Sequence, residues 1–207
     1  GEITATGSGA GLLKHDFGIS TQNEFAALAK AVDLLLPEVR TLFEMGGENS
    51  KYLLFERDES SGRLGIADYS TNGDCAAGTG AFLDQQARRL ELSSAAELSR
   101  VALSNRSDRP RIASRCAVFA KTDLIHAQQE GYTLEEICDG LCYGLAKNIF
   151  DTLFVGDQPH GPIIFIGGVS KNRAVVKHIG SMIGEEVLVH EQSHLFGAVG
   201  AALNLMD

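Results

Sequence analysis

The sequence is poor in proline, in long apolar runs and in basic residues, and each shortage excludes a class of protein. Four prolines and a mean hydropathy near zero argue against a disordered or low-complexity chain. No apolar run approaches the ~20 residues that cross a bilayer, and residues 1–4 lack the layout of a secretory signal. Lysine and arginine total 18 against 27 acidic residues, a formal net charge of −9. We therefore expect a cytoplasmic protein without a membrane or nucleic-acid partner.

Two familiar catalytic patterns are missing as well. The six histidines form no H-x-x-x-H or H-E-x-x-H pair, which excludes the zinc hydrolases that use such pairs. No serine stands in a G-x-S-x-G elbow, so the sequence does not support a hydrolytic triad. The sequence shows no secretory-signal pattern, so we expect its four cysteines to stay reduced rather than to form disulfides. Metal binding, redox chemistry and simple burial remain open for them.

The composition that is present predicts a folded α/β protein. Of the 207 residues, 44% are apolar and 22% are charged, enough for one large domain or two small lobes. Short apolar runs alternate with longer amphipathic segments. Strands are predicted at 2–6, 40–45, 51–56, 64–69, 162–166 and 186–189. Helices are predicted at 23–36, 80–92, 95–104, 116–130, 133–154, 173–183 and 195–206. The meander over 40–69, followed by helices and later strands, indicates a mixed sheet with helices packed against it.

Two glycine pairs follow predicted strands and are candidate phosphate-binding turns. Gly46 and Gly47 allow a sharp turn that brings backbone N–H groups close to an anion. Ser50 and Lys51 could add a hydroxyl and a positive charge, and Glu44 could hold a magnesium ion or its water. An ordinary hairpin turn and a surface carboxylate explain the same residues.

The second pair, Gly167 and Gly168, stands between a buried strand and a helix that follows Asn172. A strand, a glycine turn and a helix N-terminus together form a place where an anion or a nucleotide can bind. The spacing fits neither G-x-G-x-x-G nor the P-loop pattern. A tight strand-to-helix turn is the alternative explanation.

The cysteines divide into two sets. Cys75 and Cys116 lie at or near predicted helix N-termini, which lower a thiol pKa and favour an anionic ligand set. Their spacing matches no single-chain cluster or zinc pattern, although a symmetric dimer would bring four thiolates together. On spacing alone, burial explains them better. Cys138 and Cys142 share an apolar helix face and are predicted core residues.

Taken together, four segments resemble the BadF/BadG/BcrA/BcrD ATPase family, and most closely its activators of 2-hydroxyacyl-CoA dehydratases. These segments are 44–51 (EMGGENSK), 75–84 (CAAGTGAFLD), 116–120 (CAVFA) and 167–172 (GGVSKN). The resemblance implies the actin, Hsp70 and sugar-kinase fold (ribonuclease H-like), with two lobes around a nucleotide cleft. It assigns residues 1–40 to the remainder of the first lobe and residues 41–207 to the second lobe.

The resemblance also implies a function. The family's members are homodimers that share one [4Fe-4S] cluster, which makes Cys75 and Cys116 its ligands here. They couple ATP binding and hydrolysis, with magnesium, to low-potential electron transfer into a partner dehydratase or reductase. Gly46 and Gly47 then correspond to the second phosphate loop. Gly167, Gly168 and Asn172 correspond to the adenosine motif.

Two departures from the family pattern qualify this expectation. Glu44 replaces the usual aspartate, and Glu48 and Asn49 replace the usual glutamine and aspartate. The longer carboxylate of Glu44 shifts a magnesium-bound water, and a misplacement on the order of 1 Å can cost ~10²-fold in rate. The family's first phosphate loop has no counterpart, so we expect this chain to be a piece of a longer protein that alone binds nucleotide weakly. A non-redox ATPase or sugar-kinase-like domain, or an inactive regulatory module of the same fold, are the alternatives.

Overall fold

The computed structural model describes residues 1–72, 79–113, 117–154 and 159–206. In these ranges the strands are β1 (Thr4–Ala5), β2 (Ser20–Thr21), β3 (Thr41–Met45), β4 (Ser50–Arg57), β5 (Leu64–Thr71), β6 (Ile163–Ile166) and β7 (Val187–Leu188). The helices are α1 (Ala10–Phe17), α2 (Glu24–Leu35), α3 (Gly80–Arg89), α4 (Ala95–Ser104), α5 (Ala117–Gln129), α6 (Leu134–Leu153), α7 (Arg173–Ile183) and α8 (Phe196–Leu203). Short 3₁₀ turns occupy Gly168–Lys171 and Ser193–Leu195.

The main sheet is mixed, as predicted. Its order is β5-β4-β3-β6-β7, with β5, β4 and β3 antiparallel and with β3, β6 and β7 parallel. Strand β6 follows β3 by more than a hundred residues and yet lies directly beside it. Because they are parallel, both strands deliver the chain to the same edge of the sheet. Glu44 is level with Ile166 in this pairing, so the two glycine pairs leave the sheet side by side.

Helices cover both faces of this sheet and bury two apolar cores. The larger core joins one sheet face, through Phe43 and Phe165, to helices α3 to α7. The smaller core joins the other face, through Leu42 and Ile164, to α2 and to Phe196 at the start of α8. The burial of both faces explains why β6 is a continuous apolar run, IIFI, rather than an alternating one.

Local signals position the long helices around the site. Helix α6 begins with a capping box, in which the Thr133 hydroxyl accepts from the Glu136 N–H and the Glu136 carboxylate accepts from the Thr133 N–H. Helix α7 is capped by Asn172 at its N-terminus and by Gly184, in the left-handed conformation, at its C-terminus. Within the described part of the chain, the helices are too short or too polar to cross a membrane.

The N-terminal region contributes a small unit of its own and one helix of the main layer. Strands β1 and β2 pair in parallel, and α1 connects them. Helix α2 lies N-terminal to residue 41, yet it packs beside α8 on the main sheet, with Leu28 and Val32 fully buried. The division into two lobes at about residue 40 stays a prediction.

Candidate functional site

The site is built where β3 and β6 end next to each other. Gly46 and Gly47 follow β3 and begin the hairpin to β4, which is closed by a hydrogen bond from the Gly46 N–H to the Asn49 carbonyl at 2.8 Å. Gly167 and Gly168 follow β6. Both pairs therefore occupy the carboxyl ends of adjacent parallel strands, which is where α/β sheets bind ligands.

Gly167 adopts a backbone conformation that only glycine tolerates. Its φ is 84° and its ψ is 174°, and an added Cβ would clash with the Met45 carbonyl oxygen on β3. Its N–H donates to the Ser193 carbonyl at 3.0 Å. This glycine thus allows the second turn to lie against the first.

A cavity of about 300 Å³ opens between the two turns. Its walls consist mainly of small and apolar residues from both turns and from α3 and α4, with one carboxylate and one ammonium group. The lining residues are Gly46, Gly47, Gly80, Leu83, Asp84, Ala95, Ala96, Gly168, Val169, Lys171 and Asn172. Its size and composition are those of a small-molecule site.

A larger cleft of about 590 Å³ lies on the other side of the second glycine pair. Gly167 lines this cleft, whereas Gly168 lines the smaller cavity. The N-terminal unit forms one wall through residues 2–7, and α8 forms another. Glu24 and Glu44 present carboxylates to it. The site therefore consists of two adjoining spaces that meet at the glycine turns.

Glu44 does not stand alone as a carboxylate. The Lys51 ammonium lies 3.1 Å from Glu44 Oε2 and 2.9 Å from Glu24 Oε2. Burial raises the pKa of the Glu44 carboxyl, which Lys51 offsets only in part. Burial alone would lower the pKa of Lys51, but the two carboxylates more than compensate and raise it. Lys51 remains charged and neutralises part of the cleft's acidity.

Two of the predicted ligand residues use their polar groups within the protein. Ser50 is buried, and its N–H donates to Asn72 Oδ1 at 2.7 Å. Asn172 Oδ1 accepts from the N–H groups of Ala174 and Val175, both at 3.1 Å. The start of α7 is thus capped by its own chain, which differs from the expectation that its free donors face an anion.

Helix α3 is joined to the first glycine turn through its N-terminus. The Gly80 N–H donates to the Gly46 carbonyl and the Ala81 N–H to the Gly47 carbonyl, both at 2.9 Å. A Cβ at Gly80 would lie 3.0 Å from the Gly46 oxygen, closer than packed atoms normally come. The carbonyls of the turn therefore cap the N-terminus of α3.

The profile of the BadF/BadG/BcrA/BcrD ATPase family matches residues 1–204 of the chain. The chain belongs to this family. It is 30% identical over 201 residues to the 2-hydroxyisocaproyl-CoA dehydratase activator of Clostridioides difficile, spanning 97% of this chain and 72% of that one. Two members of known structure superimpose on it closely.

The first is component A of the (R)-2-hydroxyglutaryl-CoA dehydratase of Acidaminococcus fermentans, with a TM-score of 0.85 and 28% identity over 97% of this chain and 74% of that one. The second is the 2-hydroxyisocaproyl-CoA dehydratase activator of Clostridium difficile with bound ADPNP. It has a TM-score of 0.83 and 29% identity over 98% of this chain and 72% of that one. The predicted actin, Hsp70 and sugar-kinase fold is thus confirmed.

The cysteines of this family member fall partly outside the described residues. Cys75 and Cys116, the predicted cluster ligands, lie there, so their role stays a prediction. Cys138 and Cys142 are fully buried in the larger core, which confirms their assignment as core residues. Burial, with a smaller contribution from Glu135, raises the pKa of the Cys138 thiol to about 12. A thiol with this pKa is protonated at neutral pH.

Two residues at the site were not among the predicted ones. Asp84 lines the smaller cavity and Glu24 the larger cleft. Asp84 is part of the 75–84 segment that carries the family resemblance, one helical turn after Gly80, so its spacing could have indicated it. Glu24 belongs to α2 and reaches Lys51 only through the tertiary fold, which no local pattern encodes.

Proposed function

We propose that the protein is an ATP-dependent activator that passes a low-potential electron to a 2-hydroxyacyl-CoA dehydratase or a related reductase. Family membership and relatives named as dehydratase activators support this proposal. The observation that carries it is the meeting of two glycine turns at the ends of β3 and β6, around adjoining spaces of about 300 and 590 Å³. One relative holds an ATP analogue, ADPNP.

The nucleotide's phosphates are placed at the glycine turns in this proposal. The N–H groups of Gly46 and Gly167 already donate to protein carbonyls, so Gly47 and Gly168 are the proposed phosphate donors. A side chain at either position would enter open space, which leaves room for an anion beside the backbone. Lys171, exposed on the wall of the smaller cavity, adds a positive charge. The apolar remainder of that cavity is the proposed place of the adenine base.

Glu44 is the proposed catalytic residue. In hydrolysis, a water oxygen bonds to the γ-phosphorus, the bond to the β–γ bridging oxygen breaks, and a water proton passes to a base. The Glu44 carboxylate faces the larger cleft, and its raised pKa makes it a better proton acceptor than an exposed glutamate. Magnesium is expected to be held mainly by the phosphates, with Glu44 near its water shell.

Cys75 and Cys116 of two protomers are the proposed ligands of one shared [4Fe-4S] cluster, which would store the electron that the partner receives. Because Cys138 and Cys142 are buried away from the surface, they do not compete for this role. Helix α3 begins directly after the Cys75 segment and is joined to the Gly46–Gly47 turn. A nucleotide at the turn and a cluster at the cysteines would then act on one connected piece of backbone.

Anaerobic reconstitution of the intact natural protein with iron and sulfide tests the redox part of the proposal. We expect close to four irons per dimer and a reduced-cluster signal in electron paramagnetic resonance. Cys75→Ala and Cys116→Ala should abolish both. Cys138→Ala, a cysteine in the core, is the matched control and should retain them. A normal signal in Cys75→Ala or Cys116→Ala protein would contradict the ligand assignment. Natural protein that takes up no iron and still turns over ATP would favour a non-redox ATPase of the same fold.

A further inference from the structure

The smaller cavity contains one acidic side chain whose role the nucleotide phosphates do not explain. Asp84 is exposed on the cavity wall, in the second turn of α3. A carboxylate repels phosphate, so in a nucleotide site it must meet another part of the ligand. An ionised carboxylate is also a pure hydrogen-bond acceptor, so its partner must be a donor. In a nucleoside the donors are the ribose hydroxyls and, for adenine, the exocyclic amine.

The position of Asp84 relative to the glycine turn decides between these donors. Gly80 and Asp84 are four residues apart, so they share one face of α3 and lie about 6 Å apart along its axis. Gly80 is fixed to the Gly46 carbonyl by a 2.9 Å hydrogen bond. Asp84 therefore stays within one helical turn of the proposed phosphate site. The ribose adjoins the phosphates, whereas the amine lies at the far end of the base.

The rest of the cavity is consistent with this division. Beyond Asp84 the wall is formed by Leu83, Ala95, Ala96 and Val169, which offer apolar surface to a base. Lys171 is the second charged group and comes from the turn after Gly168, on the phosphate side. The wall of the cavity thus supplies an acceptor for the sugar, an apolar surface for the base and an ammonium group for the phosphates.

We propose that Asp84 is the residue that recognises the ribose hydroxyls, and that it sets the preference for ribonucleotides over 2′-deoxyribonucleotides. This inference rests on the proposed nucleotide site. The two vicinal hydroxyls donate to the two carboxylate oxygens, in the way that an acidic residue holds the ribose in dinucleotide-binding folds. A nucleotide without the 2′-hydroxyl leaves one carboxylate oxygen without its partner.

The test compares ATP and 2′-deoxy-ATP binding to the intact natural protein by calorimetric titration. We expect ATP to bind about tenfold more tightly, the effect of one hydrogen bond to a charged group. In Asp84→Ala protein this ratio should fall to near one, mainly because ATP binds less tightly. Asp68→Ala, an exposed aspartate on the edge strand β5, is the control and should keep the ratio.

Each outcome separates this inference from the proposed function. If the natural protein binds both nucleotides equally, Asp84 does not read the 2′-hydroxyl, although the ATP site stands; this comparison needs no variant to fold. If Asp84→Ala lowers the affinity for both nucleotides alike, or leaves the tenfold ratio in place, the inference is also overturned. If neither nucleotide binds, the proposed ATP site fails, and the role of Asp84 fails with it.

Discussion

Lys51 is the residue that makes the carboxylates of the cleft compatible with burial. It is paired with both Glu24 and Glu44, and its own side chain is only 8% exposed. An uncompensated charge at this depth would cost several kcal/mol, about what removing one member of a buried pair costs. One ammonium between two carboxylates leaves a net negative charge. The proposed magnesium ion would offset part of the negative charge that the carboxylates and the nucleotide phosphates bring together.

A second, largely buried carboxylate, that of Asp139 on α6, is held by a different set of partners. His178 Nε2 lies 2.7 Å from Asp139 Oδ1, and Asn105 Nδ2 donates to Oδ2 at 3.1 Å. The Arg109 guanidinium lies 4.0 Å from Oδ2 and 3.8 Å above the Tyr143 ring. Burial raises the pKa of the Asp139 carboxyl, but the hydrogen bonds from His178 and Asn105 and the electrostatic attraction of His178 and Arg109 outweigh it and hold the pKa below its usual value.

Asp139 should therefore stabilise the protein in a pH-dependent way. Its pKa is lower in the folded state than the value of about 3.9 expected after unfolding. The stabilisation is complete above that value and is lost as the pH falls through the folded pKa. We expect Asp139→Asn to lower the free energy of unfolding by about 2 kcal/mol at neutral pH. Urea unfolding from about pH 7 to about pH 3 measures this effect. The difference in the free energy of unfolding between the variant and the natural protein should shrink below about pH 4.

Asp68→Asn, which changes an exposed carboxyl on β5, controls for the change in net charge. It should alter the unfolding free energy by less than about 0.5 kcal/mol at every pH. A loss in Asp139→Asn that stays constant down to pH values near 3 would contradict the assignment, because a stabilisation independent of pH cannot arise from an ionised carboxylate.

At the scale of elements, the attachment of α3 to the first glycine turn makes a prediction of its own. ATP at the turn should restrain the Gly46 and Gly47 carbonyls that accept from the first amides of α3. Hydrogen exchange of the Gly80 and Ala81 amides should slow by about tenfold or more when ATP is near a hundred times its Kd. Helix α6 is the internal control and should exchange at the same rate with and without ATP.

Unchanged exchange at the start of α3, measured with ATP demonstrably bound, would show that the turn and the helix respond independently. Slowing spread equally over α3 and α6 would indicate a general stabilisation of the fold instead. Only a local effect fits the two hydrogen bonds at the start of α3.

Elements with strong local signals were the predictable ones. The predicted bounds of α4 and α7 agree with the structure, and both helices begin with a side-chain cap, from Ser94 and Asn172. Helix α1 and strand β2 were not predicted. In α1 only Ala10 is buried, so it has no apolar stripe, and both residues of β2 are exposed. Their pairing with β1 is tertiary information that no sequence window contains.

The site was predictable in its backbone and less so in its side chains. Glycine pairs after apolar strands indicated the turns, because glycine permits conformations such as that of Gly167. The partners of Lys51 and of the Ser50 N–H come from residues 24 and 72, distant in the chain. Which polar groups remain available to a ligand is therefore decided by the fold.

For the whole molecule, the account rests on a sheet that brings two distant turns together. Strand β3 and strand β6 pair in parallel, and one relative that shares this architecture holds ADPNP. Helices on both faces bury the sheet and leave its carboxyl edge, where β3 and β6 end, to the two spaces. An ATP-driven activator requires that this edge bind the nucleotide in the first place.

Calorimetric titration of the intact natural protein with magnesium and ATP tests this most directly. Gly47→Asp and Gly168→Asp each place a carboxylate at the turns in open space, so neither should disturb the fold. The account predicts one ATP per chain and, in both variants, an affinity at least about a hundredfold lower, because like charges face each other. Gly11→Asp on α1, also in open space, should bind ATP normally. Natural affinity in the Gly47 and Gly168 variants would contradict the account.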